Sequence, residues 1–132
     1  MINKSTRWGP LALIVLVLVA CEAGRSATTI EISVDEYAFY PATVTVPADS
    51  VVTVELASRD FVLHTWTLLS SGEAITSAVD LEEGRILTSV EIPGEATART
   101  SFDSPSPGSY QIICTVPGHV EEGMTATLVV TP

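Results

Sequence analysis

Short stretches of this chain alternate apolar and polar residues, the pattern of β-strands that bury one face. The alternation is clearest at residues 29–34, where Ile30, Ile32 and Val34 are separated by polar side chains, and at the β-branched stretch 51–56. Further strand-like stretches lie at 37–46, 61–69, 96–102, 109–113 and 125–130. Turn residues separate them and no long helical period occurs, so the sequence predicts an all-β, antiparallel Greek-key sandwich of about seven or eight strands.

Residues 70–94 fit this pattern less well. Ser71 and Gly72 begin a turn, and the segment from Glu73 to Val79 is compatible with either two helical turns or a loop. Enough apolar side chains follow to pack the segment against the domain. We expect a partly ordered excursion with room for a short helix.

The first twenty residues differ from the rest of the chain. Lys4 and Arg7 precede an apolar run at 10–20, which is shorter than the roughly 20 residues that cross a bilayer and is typical of a signal peptide. The tetrapeptide Leu18–Cys21 resembles the lipobox of bacterial lipoproteins, which implies cleavage before Cys21 and its acylation; ordinary secretion with cleavage nearby is the alternative. We therefore divide the chain into a signal peptide (1–20), a tether (21–28) and one domain (29–132), exported and lipid-anchored to the outer face of the cytoplasmic membrane.

Beyond Cys21 the chain is strongly acidic. Of its six basic residues, Lys4 and Arg7 belong to the leader, which leaves four arginines against sixteen acidic residues and a formal charge of −12. This charge excludes nucleic acid as a partner and would attract a basic protein. Solubility in salty surroundings is an equally good reason for it.

The segment 114–124 carries three metal-binding side chains at five-residue intervals: Cys114, His119 and Met124. It also contains the turn formers Pro117, Gly118 and Gly123, so it is predicted to double back as a loop. A thiolate, an imidazole and a thioether, together with a second imidazole, are the ligand set of a copper site. His64, the other histidine of the chain, is the candidate. We expect His64, Cys114 and His119 in a trigonal plane, with Met124 as a long axial ligand.

Each of these residues has an ordinary explanation when taken alone. His64 could be a core histidine, Cys114 a small buried hydrophobe and Met124 a gap filler. The joint occurrence of Cys114, His119 and Met124 on one loop favours a metal. Zinc fits less well because a thioether is a poor zinc donor. A Cys114–His119 nucleophile pair is disfavoured because it lacks a third residue to orient it. A Cys21–Cys114 disulfide would require both the lipobox and the metal-binding motif to be accidents.

The stretches 36–46 and 110–130 resemble the cupredoxins, the small blue-copper electron carriers. The segment Cys114–His119 is similar to the azurin and auracyanin form of the loop. The five-residue step from His119 to Met124 is similar to that of plastocyanin. Among cupredoxins, a tethered protein is closest in character to the auracyanin type. The resemblance implies one type 1 copper bound by His64, Cys114, His119 and Met124, and electron transfer instead of enzymatic catalysis.

The same resemblance assigns roles to neighbouring residues. The family usually has asparagine after the first histidine ligand; Thr65 stands here, which predicts a looser site. The backbone N–H groups of Thr65 and Val116 are expected to point at the Cys114 sulfur. Glu121 and Glu122 are expected to form a negative rim on which a partner docks, although either could replace Met124 as a ligand.

The sequence thus favours a membrane-tethered blue-copper protein that shuttles electrons between redox partners, such as a cytochrome or a membrane oxidoreductase complex with a basic docking face. The alternatives are a lipoprotein that carries or stores copper, and a metal-free sandwich that serves as an interaction module.

Overall fold

The computed structural model of the protein describes residues 24–132. The strands of this part are β1 (Ser26–Asp35), β2 (Ala38–Tyr40), β3 (Thr43–Pro47), β4 (Ser50–Ser58), β5 (His64–Leu69), β6 (Ile86–Ile92), β7 (Thr97–Asp103), β8 (Gly108–Ile113) and β9 (Thr125–Thr131). Within these residues the helical segments are two short 3₁₀ turns, Ala78–Asp80 and Glu83–Arg85. No helix between residues 24 and 132 has the length and apolar character needed to cross a membrane. The predicted signal peptide and Cys21 lie outside the described residues.

The strands form two sheets that pack face to face. One sheet has the order β2-β1-β4-β7 and the other has the order β3-β9-β8-β5-β6. Inward-facing side chains of both sheets make one continuous core, with Val52, Val54 and Leu56 of β4 on one side and Trp66 and Leu68 of β5 on the other. The predicted all-β sandwich is confirmed.

The expectation of purely antiparallel sheets is wrong at two pairings. β1 pairs with β4 in parallel, and β3 pairs with β9 in parallel. The chain changes sheet between β2 and β3, so β4 returns beside β1 in the same direction. Alternation along one strand reports which face is buried and carries no information about the direction of the neighbouring strand.

Every residue of β5 is buried, because both faces of this strand are covered. Trp66 and Leu68 point into the main core, while Leu69 belongs to a second apolar cluster with Ile75, Ile113 and others. The second cluster lies outside the sandwich and is contributed in part by the segment after β5. We call residues 70–85 the cover segment.

The cover segment is ordered, although it contains little regular structure. The Gln111 side chain of β8 accepts a hydrogen bond from the Ile75 N–H and donates one to the Ile75 carbonyl, both at 2.8 Å. Arg85 donates to the carbonyls of Ser70 and Glu73. Side chains thus satisfy backbone groups that lack strand partners. The short helix considered for residues 73–79 is a loop that ends in a 3₁₀ turn, and residues 86–92 form a strand.

Candidate metal centre

The pairing of β5 with β8 brings two of the predicted ligands together. These strands are antiparallel, with Thr67 opposite Ile113, so β5 begins where β8 ends. His64 is the first residue of β5 and Cys114 directly follows β8. Two residues fifty positions apart therefore lie at the same end of the sandwich.

The ligand loop, residues 114–124, closes on itself through backbone hydrogen bonds. The Cys114 N–H donates to the Met124 carbonyl at 3.2 Å, and the Met124 N–H donates to the His119 carbonyl at 3.0 Å. Gly118 and Gly123 adopt φ angles of 88° and 92°. A residue with a side chain would be strained in this left-handed region. The loop thereby returns Met124 to the side of Cys114.

The donor atoms of His64, Cys114 and His119 lie within 4.8 Å of one another. The Cys114 Sγ is 3.5 Å from the His119 Nδ1, and all three residues are buried. Met124 is fully buried in the adjoining core. His64, Cys114, His119 and Met124 are arranged as a copper site.

The His64 ring fits a bound metal in a specific way. Its Nε2 is 2.9 Å and 3.0 Å from the two carboxylate oxygens of Asp60. Its Nδ1 is buried and has no hydrogen-bond partner among the described residues, a costly state for a polar nitrogen unless a ligand is to be bound there. With a thiol and a second imidazole beside it, this nitrogen would complete a two-histidine, one-cysteine copper site.

Thr65 joins the two chain segments that carry the ligands. Its Oγ1 accepts a hydrogen bond from the Thr115 N–H at 2.7 Å and lies 2.9 Å from the Thr115 hydroxyl. The Thr65 N–H points at the Cys114 Sγ at 3.4 Å. A threonine therefore makes the link that the family's asparagine would make, and the expected looseness has no counterpart in these contacts.

Val116 differs from the expectation. Its carbonyl accepts a hydrogen bond from the His119 N–H at 3.0 Å, which tightens the loop ahead of the histidine. Among the hydrogen bonds of residues 24–132, the one backbone donor to the Cys114 sulfur is that of Thr65. The second N–H···S bond expected from Val116 is not among the hydrogen bonds of residues 24–132.

Glu121 bonds to the cover segment. Its Oε1 accepts hydrogen bonds from the Ser77 hydroxyl at 2.8 Å and from the Ala78 N–H at 3.0 Å. Its own backbone N–H, the Ser77 hydroxyl and the Ala78 N–H hold the pKa of Glu121 below its usual value. In the described residues, the metal-binding group contains neither Glu121 nor Glu122. Glu122 is exposed.

His119 is the ligand side chain that reaches towards the surface. It is 8% exposed, whereas His64 is fully buried. Tyr37 stands edge-on to it, with ring centroids 5.3 Å apart. Burial lowers the pKa of His119, against the opposing charges of Asp60, Glu36 and Glu121. The ring is thus held in the neutral form that binds metal.

Asp60 and Tyr37 are the site residues that the sequence did not reveal. Nothing in the spacing of Asp60 separates it from the other fifteen acidic residues. Tyr37 falls in a predicted strand, but its φ of 60° places it in the turn between β1 and β2, from which its ring reaches His119. Both contacts arise from loop geometry.

A β-sandwich with two histidines, a cysteine and a methionine gathered at one end defines a blue-copper protein. The family model of the cupredoxin-like domain matches residues 10–130, and the chain belongs to this family. Cupredoxins of this kind bind one type 1 copper and transfer electrons.

Known relatives agree with this assignment. The chain is 31% identical to auracyanin-B of Chloroflexus aurantiacus over 80% of its own length and 53% of that protein, so it spans about half of that relative. It is 29% identical to auracyanin-A of the same organism, over 83% of the chain and 86% of the relative. The solved structure of auracyanin A, a "blue" copper protein, superimposes with a TM-score of 0.71 at 31% identity, over 80% of this chain and 100% of that one. Reduced rusticyanin, at 20% identity and a TM-score of 0.58 over 78% and 79% of the two chains, shares the fold.

Replacing Glu121 by alanine should loosen both the cover segment and the ligand loop, because Ser77 and Ala78 lose their shared acceptor. Hydrogen exchange of the metal-free protein should then become severalfold faster in residues 75–80 and 117–124. Glu121→Gln retains an amide oxygen in the same place and should exchange like the wild type. Equal exchange in both variants would show that the contact does not hold the loop.

Proposed function

We propose that this cupredoxin is a membrane-tethered carrier that passes single electrons between membrane-associated redox partners. The observation that carries the proposal is the buried cluster of His64, Cys114, His119 and Met124, in which His119 is 8% exposed and the other three are fully buried. When bound, copper supplies the one-electron couple. The chain contributes a fixed donor set, and this set offers no acid or base placed for substrate chemistry, so we infer that the protein is not an enzyme.

The scaffold suits electron transfer because its ligands have little freedom to move. Thr65 ties the ends of β5 and β8 together, and the ligand loop is closed by its own backbone bonds. Preorganised ligands need little rearrangement when the charge of the metal changes. A protein that hands over copper would need a more open site, so the burial of His64 and Cys114 favours the electron carrier over the copper carrier.

The position of β1 bears on how a tethered domain would be oriented. β1 runs parallel to β4, with Ser26 opposite Ser50 and Val34 opposite Ser58. The end of β1 leads to Tyr37, which contacts His119, so the start of β1 lies at the far end of the sandwich. Ten residues of strand span about 33 Å. A lipid on Cys21 would therefore hold the domain with its metal end pointing away from the membrane.

The surface beside His119 is acidic. Glu36 and Glu121 are exposed, and their charges raise the pKa of His119 against its burial. Glu122 adds a further exposed carboxylate in the ligand loop. The sequence as a whole is acidic, with a net charge of −10. We infer that the partner is a redox protein, such as a cytochrome or a membrane oxidoreductase complex, that presents a basic face to this end of the domain.

Copper titration tests the function directly. Adding Cu(II) to the 132-residue chain in detergent should produce an intense visible band from thiolate-to-copper charge transfer at a ratio of one copper per chain. Cys114→Ser should abolish the band and leave the protein folded, as checked by circular dichroism. A folded wild-type protein without the band would refute the electron-transfer function, and ready loss of copper to a chelator would favour the copper carrier.

Mass spectrometry of the protein purified from bacterial membranes tests the tether. The mature chain should begin at Cys21 and carry acyl groups, and Cys21→Ala should remain unprocessed or leave the membrane fraction. An unmodified amino terminus elsewhere in residues 21–28 would show ordinary secretion. In that case the orientation inferred from β1 would also fail.

Salt dependence of electron exchange tests the docking surface. The double variant Glu121→Gln/Glu122→Gln should react severalfold more slowly with a basic cytochrome at low ionic strength, with an unchanged visible spectrum. Steering by charge is screened by salt, so the difference should vanish as salt is added. Glu31→Gln/Glu55→Gln removes the same charge from the outer face of the β1–β4 sheet and serves as the control. Equal rates in the two double variants would contradict docking at the metal end.

A further inference from the structure

Asp60 is held in place from several directions at once. Its Oδ1 accepts hydrogen bonds from the Val62 N–H at 2.9 Å and from the Ser58 hydroxyl at 3.3 Å. Its carbonyl accepts one from the Glu95 N–H at 2.7 Å. The side chain is only 14% exposed. The position of this carboxylate is therefore fixed before any metal binds.

The turn that carries Asp60 is also packed closely against the opposite turn. A Cβ atom added to Gly94 would lie 2.3 Å from the carbonyl carbon of Phe61, so the two backbones touch at a distance that only glycine permits. The carboxylate thus stands on a segment with little room to shift.

The contact with His64 determines which ring nitrogen is free. The carboxylate oxygens are acceptors, so the His64 Nε2, at 2.9 Å and 3.0 Å from them, carries the proton and donates it. The lone pair then belongs to Nδ1, the nitrogen that is buried without a partner in residues 24–132. Asp60 therefore presents His64 to the metal in the binding tautomer.

We propose that Asp60 is a positioning residue that biases the copper towards its oxidised state and lowers the reduction potential of the site. A carboxylate that accepts the imidazole proton raises the electron-donating power of the other nitrogen. A negative charge next to a ligand also favours the more positive of the two metal states. This inference rests on the proposed electron-transfer function and adds a residue that adjusts the reduction potential.

The effect of Asp60 on the reduction potential opposes that of the hydrogen bond to the Cys114 sulfur. The Thr65 N–H, 3.4 Å from the Cys114 Sγ, withdraws electron density from the thiolate and favours the reduced state. The Thr65 hydroxyl, 3.9 Å from the same sulfur, acts in the same direction over a longer distance. The carboxylate behind His64 acts against both donors and moves the equilibrium between the two copper states towards Cu(II).

The test compares reduction potentials of the copper-loaded chain and of Asp60→Asn. Asparagine keeps an oxygen that accepts from Val62 and from the His64 Nε2 and replaces the second acceptor by an amide NH₂. We expect the fold and the tautomer to be retained while the charge is lost. The equilibrium between Cu(I) and Cu(II) should shift towards Cu(I) by tenfold or more, which for one electron corresponds to about 59 mV. The visible band should persist.

Glu36→Gln is the control for charge alone. Glu36 acts on His119 through space and makes no contact with a ligand nitrogen. Its removal should shift the equilibrium by less than threefold. A shift in Glu36→Gln equal to that in Asp60→Asn, or an Asp60→Asn potential within threefold of the wild type, would overturn the proposal.

A second measurement on the metal-free chain keeps the two proposals separate. Nitrogen chemical shifts should show the His64 proton on Nε2 in the wild type and in Asp60→Asn, and a mixture of tautomers in Asp60→Ala. A proton on Nδ1 in the wild type would overturn the role of Asp60 whatever the copper does. Absence of the visible band, with the tautomer as expected, would count against the function and leave the positioning intact.

Discussion

The register between β5 and β8 is the constraint on which the site depends. It places His64 beside Cys114, and it also sets Thr65 opposite the start of the ligand loop, where Thr65 reaches Thr115. A slip of one residue would turn Trp66 out of the core and Thr65 into it. The burial of Trp66 in the main core therefore fixes the metal geometry, since the free energy that packs the tryptophan also selects the register that aligns the ligands.

Such a central strand needs cover on its outer face, and the cover segment supplies it. Ile75 packs with Leu69 and with Val120 of the ligand loop, while Gln111 and Glu121 satisfy the backbone of the segment. Apolar packing and side-chain hydrogen bonds thus connect residues 70–85 to β8 and to the ligand loop. Glu121, which the sequence suggests for docking, also accepts structural hydrogen bonds from the cover segment. Its charge and its capacity to accept hydrogen bonds therefore have to be varied separately.

The sequence was most informative where local pattern and chemistry coincide. Alternation predicted the strands and the sandwich, and the five-residue spacing of Cys114, His119 and Met124 predicted one cluster. Parallel pairing, the strand β6 and the roles of Asp60 and Tyr37 were not predictable, because each depends on which distant segments become neighbours. Val116 shows the limit of reasoning by resemblance: the loop matches the family in residue types, yet among residues 24–132 the backbone donor to the Cys114 sulfur is that of Thr65.

The contacts of Thr65 and Asp60 with the proposed ligands shift the reduction potential in opposite directions. The bond from the Thr65 N–H to the sulfur stabilises electron-rich thiolate, and the Asp60 carboxylate stabilises electron-poor imidazole. Thr65 and Asp60 both lie within residues 58–65, where the hydrogen bonds of Asp60 and the close packing of Phe61 on Gly94 hold the turn in place. In the proposed copper site these two short-range interactions shift the reduction potential in opposite directions. A sequence change at Asp60 would then alter the potential without replacing any ligand.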